Sequence, residues 1–335
     1  MILIYTNKED VHPTNIIRYL SLWGISVFRL NTECLLTDYE FSWWTDARGT
    51  DFRIRNTKTN YTLFGHDITA IYDRRPQKPT ELLLTSDNEE INRYNLMEAN
   101  GFLNFLRYYT KNIFSIGSIV EDRPAASKML QMQYAYQLGM FTPHTCFSNS
   151  HEQIRQFAQQ HKYLSLKPID ADSVFLDDHT QKVFYTQRIS AQDLLQQPDL
   201  AFQQTACFVQ EYIEKQYELR LTVVEDEVIT CKIYSQEQSA SQTDWRLGSD
   251  NLHLEIIPTP EPLQTFCLKF LQLMHLRFGC FDFICTPADE YVFLECNPNG
   301  QWLWIELQTG YDISHIIALH LAKYEQNCNN LENTK

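Results

Sequence analysis

The chain has 335 residues, 44% of them hydrophobic, and a formal net charge of −14. This length allows two or three domains with substantial cores. The acidic balance, without a long basic run, argues against nucleic acid or an anionic membrane as a partner. No stretch approaches the roughly 18 apolar residues of a membrane span. Nine scattered cysteines without a Cys-x-x-Cys pair indicate reduced core thiols and a cytoplasmic protein.

The first predicted elements form a β-α-β unit. An apolar strand covers residues 2–5, helical spacing covers 13–23, and a second strand follows directly. Strand-like segments continue to about residue 74, and residues 89–109 are strongly helical. We therefore expect an N-terminal α/β domain over residues 1–115.

Helices and strands then recur in two further groups. Helical spacing covers residues 125–138 and 150–160. Strand-like segments follow at 163–167, 173–176, 182–186, 206–213, 218–224 and 228–234. The pattern predicts a central domain over 116–205 and a C-terminal domain over 206–326, giving an α/β (α+β) chain.

The last part of the chain contains a helical stripe, a hairpin, a final helix and a polar tail. The stripe covers residues 263–274 and the final helix about 312–324. The tail over 327–335 has low hydrophobicity, so we expect it to be disordered.

The hairpin carries the most informative side chains. A polar turn at 286–290 separates its two strands, and a symmetric pairing places Asp282 opposite Glu295. Asn297 lies two residues past Glu295 and therefore points to the same face. Two carboxylates and an amide oxygen form a ligand set suited to Mg²⁺. The hairpin thus predicts chemistry on a nucleotide phosphate.

Two lysines are candidates for contact with phosphate. Lys167 ends a strand, and Lys128 lies at the start of a helix, where a cation is disfavoured unless an anion is near. A bound phosphate would supply that anion. The alternative for each lysine alone is a solvated surface group.

The strand over 218–224 alternates, so Glu218 and Arg220 share a face. A turn centred on residue 226 places Arg220 opposite Lys232, an unfavourable pair of like charges. A bound polyanion would remove that conflict, although both side chains could instead extend into water. Upstream, the segment at 208–213 has an apolar strand edge of the kind that holds adenine.

Two polar segments are candidates for substrate contact. Asp244 and Arg246 flank Trp245 in a loop, and Arg74 and Arg75 end an N-terminal strand. Loops on a rigid scaffold often carry specificity, and paired guanidinium groups recognise carboxylate or phosphate. The alternatives are a surface ion pair and a basic turn. The sequence contains neither GxxxxGK[ST] nor GxGxxG, so the P-loop and Rossmann families lack support.

Taken in order, these residues resemble an ATP-grasp carboxylate ligase over nearly the whole chain. Asp244-Trp245-Arg246 is similar to the DxR motif of the graspetide (microviridin-type) peptide ligases, and 293–304 resembles their C-terminal signature. Arg74-Arg75-Pro76 matches their N-domain arginine motif. The grasp-with-spasm maturases look nearest. The resemblance implies a pre-ATP-grasp N-terminal domain, a central domain, and a C-terminal ATP-grasp domain with the Mg²⁺ site.

The resemblance also implies roles for individual residues. ATP would be held through its phosphates, adenine and ribose by Lys128, Lys167, Glu211, Tyr212, Ile213 and Glu218. Mg²⁺ would be bound by Asp282, Glu295 and Asn297. The charge of the transferred phosphate would be stabilised by Arg220 and Lys232. The segment after Lys167 lacks the glycine-rich loop of many relatives. Either Ser173 and backbone amides would take its place, or the phosphates would be covered less tightly until the peptide binds.

The peptide substrate would contact a further set. The core of a ribosomal precursor peptide would be positioned by Arg74, Arg75, Asp244 and Arg246. Its leader would bind a hairpin over 173–186 and the helix that follows, where Asp193 is a candidate contact. Because Asp193 is acidic, it would suit a leader that carries Arg or Lys.

The implied activity is an ATP-dependent macrocyclase that joins Asp or Glu side chains to Ser or Thr (ester) or Lys (amide). The likeness to the grasp-with-spasm type favours the ester, and members of the family often form homodimers. Two alternatives stay open. One is an amino-acid ligase of the glutathione synthetase type, and the other is a non-catalytic ATP-binding protein.

Overall fold

The computed structural model describes residues 1–47, 49–118, 124–169, 173–175 and 181–332. The first seven strands are β1 (Ile2–Thr6), β2 (Val27–Asn31), β3 (Tyr39–Asp46), β4 (Gly49–Asn56), β5 (Thr62–Phe64), β6 (Ala70–Asp73) and β7 (Phe114–Ile116). They form a parallel sheet in the order β2-β1-β6-β7 and an antiparallel sheet in the order β3-β4-β5. The parallel sheet is the expected product of the β-α-β opening.

Helices α1 (His12–Leu22), α2 (Leu35–Asp38) and α3 (Glu89–Tyr109) accompany these strands. All five residues of β1 are buried, as in a central parallel strand covered on both faces. One face, with Leu3, packs against Leu103 of α3 and against the small antiparallel sheet. The other face, with Ile4, shares a core with C-terminal residues that include Trp302. The N-terminal domain therefore packs directly against the end of the chain.

The central part contains a second antiparallel sheet. Its elements are helix α4 (Lys128–Gln137), strands β8 (Thr145–Ser148), β9 (Tyr163–Lys167), β10 (Ser173–Phe175), β11 (Gln181–Val183), β12 (Gln187–Ser190) and β13 (Cys207–Glu211), and helices α5 (His151–Ala158), α6 (Ala191–Leu195) and α7 (Asp199–Gln203). The sheet order is β12-β9-β13-β8, and β10 and β11 form a separate antiparallel pair. That pair lies where the sequence predicted a hairpin.

The C-terminal part is built on a five-stranded antiparallel sheet. Its elements are β14 (Tyr217–Val224), β15 (Glu227–Ile233), β16 (Leu254–Ile257), α8 (Glu261–Leu273), β17 (Phe278–Cys285), β18 (Tyr291–Asn297), α9 (Leu303–Thr309) and α10 (Ile313–Glu332). The strand order is β16-β15-β14-β17-β18. On one face, Phe266 and Phe270 of α8 pack against Phe281, Phe283 and Phe293. Large buried rings of this kind fix the two strands that carry Asp282 and Glu295.

Two boundaries differ from the sequence-based expectation. Strand β13 pairs with β8 and β9 of the central sheet, beyond the boundary predicted at residue 205. Helix α10 continues to Glu332, although disorder was predicted from residue 327. The segment over 325–332 contains neither Gly nor Pro to end the helix, so low hydrophobicity alone was a poor predictor of disorder. Residues 333–335 lie outside the described residues.

Two further predictions concern the environment of the chain. None of the helices in the described residues combines the length and apolar character of a membrane span. The eight cysteines that the structure describes are all free thiols.

Candidate active site

A cavity of about 1040 Å³ lies where the three parts of the molecule meet. Its walls come from the end of β6, from β9 and β13 of the central sheet, and from β14, β17 and β18. Thirteen residues singled out in the sequence line it, namely Arg75, Lys128, Lys167, Glu211, Tyr212, Ile213, Glu218, Arg220, Asp244, Arg246, Asp282, Glu295 and Asn297. The fold therefore brings residues that are up to 222 positions apart (75 to 297) into one site.

The hairpin places three oxygen-bearing side chains together. Asp282 pairs with Glu295 across β17 and β18, which confirms the predicted pair, although the register shifts between Asp282 and Phe283. Asn297 Nδ2 lies 3.5 Å from Asp282 Oδ2 and 3.3 Å from Glu295 Oε1. A half-turn of the amide would present its oxygen in the same direction. The donor set thus fits a hard divalent cation such as Mg²⁺.

Three cations surround these oxygens. Arg220 Nη1 lies 2.7 Å from Asp282 Oδ2, and Lys128 Nζ lies 3.0 Å from Glu295 Oε2. Glu295 is therefore an anion next to Lys128 at the start of α4, where the sequence predicted that an anion would be needed. Lys167 lines the cavity and interacts electrostatically with Glu295, although none of the ion pairs within 4.0 Å in the described part of the chain includes it. An anionic ligand would complete its environment.

Burial and charge separate the pKa values of the acids. Burial raises the pKa of Asp282 above its ordinary value and outweighs the opposing effect of Arg220. Burial acts in the same direction on Glu295, but Lys128 and Lys167 outweigh it and lower the pKa of Glu295. Burial also lowers the pKa of Lys167. Because a charged ligand must compensate these buried charges, the site is electrostatically suited to a metal–phosphate group.

The loop after β18 is held close to Arg220. A Cβ on Gly300 would lie 2.4 Å from Cys280 Cβ and 2.9 Å from Arg220 Nη2, so only glycine fits there. Arg220 Nη2 also donates to Gln301 O at 3.1 Å. The close approach of this loop therefore fixes the guanidinium beside Asp282.

A buried glutamine holds the metal-binding strand from the other side. Gln131 Oε1 accepts a hydrogen bond from Cys296 N at 2.9 Å, and Gln131 Nε2 donates to Cys296 O at 2.7 Å. Cys296 separates Glu295 from Asn297 in β18. Sequence reasoning missed Gln131, because a polar residue on a helix gives no sign of its distant partner.

The polar loop after β15 forms another wall. Arg246 makes a bidentate contact with Asp244, with Nε–Oδ1 at 2.8 Å and Nη2–Oδ2 at 2.6 Å. Asp244 Oδ2 also accepts a hydrogen bond from Thr186 N at 3.0 Å. Trp245 stacks on Trp304 with ring centroids 4.8 Å apart. The loop is therefore fixed on several sides and presents Arg246 to the cavity.

Sequence comparison identifies the family of this chain. The family described as RimK-like ATP-grasp domain matches residues 125–321, well over half of the chain. The chain belongs to the RimK-like ATP-grasp family. No curated protein sequence matches the chain.

Solved ATP-grasp structures agree over nearly the full length. A RiPP-associated ATP-grasp ligase from Chryseobacterium gregarium, in complex with ADP and a leader and core peptide, has 24% identity and a TM-score of 0.86 over 96% of each chain. The macrocyclase MdnC from Microcystis aeruginosa MRC, bound to precursor peptide MdnA, has 25% identity and a TM-score of 0.81 over 96% of this chain and 99% of that one. PsnB, complexed with minimal precursor, Mg and ADP, has 16% identity, a TM-score of 0.73, and 97% coverage of both chains. The fold is thus an ATP-grasp fold, as the sequence predicted.

The segment over 212–216, here called the hinge, follows β13 and joins it to β14. Among the described residues, neither the backbone N–H nor the backbone C=O of Ile213 has a hydrogen-bond partner, and Ile213 lines the cavity. The side chain of Glu211 instead lies 3.3 Å from His144 Nδ1. Backbone groups at 213 are therefore better placed for a planar base than the Glu211 carboxylate.

Lys215 is a site residue that the sequence analysis missed. Its Nζ lies 2.7 Å from Glu218 Oε1, and both side chains are almost fully buried, at 4% and 8% exposure. The two residues are three apart in the chain, at the junction of the hinge and β14. A lysine three residues before a candidate ribose-binding carboxylate was an available signal.

The predicted position of Lys232 is wrong. Lys232 pairs with Leu219, while Arg220 pairs with Cys231, because the turn contains two residues, Glu225 and Asp226. A shift of one residue turns a side chain to the other face of the sheet. Lys232 accordingly lies away from the cavity, over the rings of Tyr217 and Tyr234 at 4.0 and 4.6 Å. These cation–π contacts stabilise Lys232 without a polyanion.

The two N-terminal arginines have different environments. Arg74 is almost fully buried, and its Nη1 donates to Asn299 O and Oδ1, both at 2.6 Å, and to Gly300 O at 3.1 Å. The predicted contact of Arg74 with a core peptide is therefore wrong, because the guanidinium holds the loop after β18. Arg75 lines the cavity with a backbone φ of 49°.

Two predicted contacts remain, of which Asp193 lies outside the cavity and Ser173 has a side chain that the structure does not describe. Asp193 is in the first turn of α6, where its backbone N–H bonds Ser190 Oγ at 3.0 Å and its carboxylate accepts from the same hydroxyl at 2.6 Å. This is a capping arrangement that explains Asp193 locally. Ser173 begins β10, but its side chain, like residues 170–172, lies outside the described residues.

Proposed function

We propose that this protein is an ATP-dependent ligase that closes macrocycles in a ribosomal precursor peptide. It activates Asp or Glu side-chain carboxylates and joins them to Ser or Thr hydroxyls or to a Lys amine. The observation that carries the proposal is the single cavity in which a Mg²⁺-type oxygen set, the cations Lys128, Lys167 and Arg220, and the Asp244–Arg246 loop converge. The fold shared with peptide-bound ligases over 96% of the chain supports it.

The nucleotide would occupy the central part of the cavity. Ile213 would offer its backbone groups to adenine, with Tyr212 beside it, and Glu218 would accept hydrogen bonds from the ribose hydroxyls. Lys128 and Lys167 would contact the phosphates. Lys167 suits this role because burial without an ion pair within 4.0 Å in the described part of the chain makes its ammonium a ready site for an anion.

Asp282, Glu295 and Asn297 would hold the metal. Mg²⁺ bound there would neutralise phosphate charge and orient the transferring group. Arg220 would contribute from the same wall, because Asp282 holds its guanidinium beside the oxygen set. The lowered pKa of Glu295 keeps that carboxylate ionised and ready to coordinate.

The chemistry follows from the nature of the substrate. A carboxylate is a poor electrophile, because its displacement would release oxide. Transfer of the γ-phosphoryl group to the carboxylate oxygen gives an acyl phosphate and ADP. A hydroxyl or amine of the same peptide then forms the new ester or amide bond, and phosphate leaves. Holding both groups in one site supplies much of the rate gain.

The peptide would enter along the Asp244–Arg246 loop and Arg75. Arg246 keeps its charge because the hydrogen bonds that it donates to Asp244 raise its pKa further. An always-charged guanidinium is suited to orient a carboxylate. The β10–β11 hairpin and α6 would bind the leader, with Asp193 as an acidic contact at the start of α6.

We further propose a cytoplasmic homodimer. The exposed face of α3 carries Tyr94, Met97 and Tyr108 at 62%, 60% and 67% exposure. An apolar stripe of this kind on a surface helix favours association with a second copy. Light scattering after size exclusion would give twice the chain mass if the dimer forms.

Mass spectrometry tests the proposed activity. The protein would be incubated with ATP, Mg²⁺ and the short precursor peptide encoded next to its gene. We expect a loss of the mass of one water per link formed, with none for Glu295→Gln. ATP hydrolysis stimulated by free amino acids, without mass loss in the peptide, would instead favour a small-molecule ligase.

A further inference from the structure

Lys215 contacts two parts of the site at once. It lies in the segment between β13 and β14 and lines the cavity. Its Nζ lies 2.7 Å from Glu218 Oε1 and donates to Thr243 O at 3.1 Å. Thr243 directly precedes Asp244 in the chain. One ammonium group therefore joins the hinge side of the cavity to the polar loop.

Because Lys215 and Glu218 are buried, each charge depends on the other for compensation. Lys215 and Glu218 are 4% and 8% exposed. A buried ammonium requires acceptors for its protons, and a buried carboxylate requires a compensating donor. Loss of either partner leaves an uncompensated charge, so the three groups are held as a unit.

The polar loop is also held by contacts away from Lys215. Thr186 N bonds Asp244 Oδ2 at 3.0 Å, and Trp245 stacks on Trp304. Neither of these contacts involves the nucleotide side of the cavity, where the side chain of Tyr212 is a second group, beside Lys215, that interacts with Thr243. Arg246 is in turn fixed by Asp244, so a displacement of Thr243 would change the direction of Arg246.

We propose that Lys215 is a positioning residue that couples the nucleotide half of the cavity to its peptide half. It fixes Glu218 for the ribose hydroxyls and holds Thr243 so that Asp244 and Arg246 face the peptide. A nucleotide that restrains Glu218 also restrains Lys215, and the loop then loses less entropy when the peptide binds. The terms nucleotide half and peptide half rest on the proposed function, which assigns ATP and the precursor peptide to these parts of the cavity.

Hydrogen exchange measured by mass spectrometry tests this coupling with ADP and Mg²⁺ as the only ligands. In the wild-type protein, saturating ADP should slow amide exchange over residues 242–248 by at least about fivefold, the lower range of typical coupling between sites. In Lys215→Met at equal saturation, that slowing should be lost. Equal slowing in both proteins, or none in the wild type, would overturn the proposal.

Three further measurements separate coupling from general damage. Lys215→Arg keeps the charge and the reach, so it should restore the slowing. Lys58→Met removes an exposed ion pair of the same 2.7 Å length far from the cavity, and it should behave as the wild type. Without nucleotide, Lys215→Met should exchange faster than the wild type over 242–248, and equal rates would contradict the proposal even if the variant binds no ADP.

A failure of the proposed function would give a different pattern. An absent macrocyclase activity leaves the ADP-dependent exchange unchanged, because no peptide is present in this experiment. Conversely, an active macrocyclase in which Lys215→Met keeps the ADP-dependent slowing would refute the coupling alone.

Discussion

At the scale of single residues, the site is a balance of buried charges around β18. Glu295 is central to it, because it belongs to the oxygen set and also compensates Lys128 and Lys167. Asp282 is compensated separately by Arg220. A change that keeps the shape of Glu295 but removes its charge should therefore damage chemistry more than folding.

Glu295→Gln is the first test of that balance. We expect turnover to fall by at least about 100-fold, the typical loss when a transition-state charge loses its compensation. Circular dichroism should show an unchanged fold. Glu290→Gln is the matched control, because this exposed carboxylate lies in the turn of the same hairpin and should leave turnover unaltered. Retained turnover in Glu295→Gln would refute the metal assignment.

Gly300→Ala tests the close approach of the loop to Arg220. The added Cβ would meet Cys280 at 2.4 Å, so we expect a loss of about 1–3 kcal/mol in the free energy of unfolding. Gly101→Ala is the control, because that exposed helical glycine has nothing within 4 Å of an added Cβ. The control should raise stability by about 0.5–1 kcal/mol. Comparable melting temperatures for the two variants would contradict this view of Gly300.

At the scale of elements, the register of two hairpins decides which charges enter the cavity. Next to the turn between β17 and β18 the pairing would place Asp282 opposite Leu294, but a register shift between Asp282 and Phe283 brings Glu295 opposite Asp282, as predicted. The turn between β14 and β15 was predicted to be one residue longer than the two residues that it contains, so Lys232 was assigned to the wrong face. Turn length is a local detail that alternation of apolar residues does not determine.

Lys232→Met tests that correction. Because Lys232 lies over Tyr217 and Tyr234, we expect turnover within about twofold of the wild type and a stability loss of about 0.5–2 kcal/mol. Arg220→Met, on the neighbouring strand but inside the cavity, should lose turnover. A loss of turnover in Lys232→Met as large as that in Arg220→Met would restore its catalytic assignment.

Some elements and site residues could be predicted from the sequence, and others could not. The helices α3 and α8 and most strands follow from apolar spacing. The pair of Asp282 and Glu295 was predicted from a symmetric hairpin, although the actual hairpin reaches it through a register shift. Gln131 and Arg74 act through partners 165 and 225 residues away. Spacing within one segment carries no information on such distant partners. Lys215 was missed for another reason, because its spacing from Glu218 was visible but only burial shows that the pair belongs to the site.

At the scale of the whole molecule, residues of the N-terminal domain hold the loop that follows β18. These contacts, made by Arg74, Asp10 and His12, are called the brace here. Arg74 bonds Asn299 and Gly300, and its Nε lies 3.2 Å from Asp10 Oδ2. Asp10 also bonds His12, whose ring packs edge-on against Trp302 at 5.1 Å. The loop between Asn297 and α9 is therefore held from the N-terminal side of the molecule, next to the predicted metal ligands.

The brace predicts a specific dependence of stability on pH. Burial lowers the pKa of His12 below its ordinary value of 6.5, and although Asp10 opposes this, the net shift is downward. Below pH 6.5 the unfolded chain binds a proton that folded His12 resists, so stability falls as the pH decreases from 6.5. Melting temperatures of His12→Gln should fall less between pH 7.5 and pH 5.5, within the range set by that ordinary value. An equal fall in both proteins would contradict the brace.

The most direct test of the central claim follows an oxygen atom from the peptide to phosphate. The precursor peptide would carry ¹⁸O in its Asp and Glu side-chain carboxylates, and phosphate released during ring closure would be analysed by mass spectrometry. Attack of the carboxylate on the γ-phosphoryl group predicts one ¹⁸O in the phosphate for each ring formed. Ring closure with unlabelled phosphate would contradict carboxylate activation in the cavity around Asp282, Glu295 and Asn297.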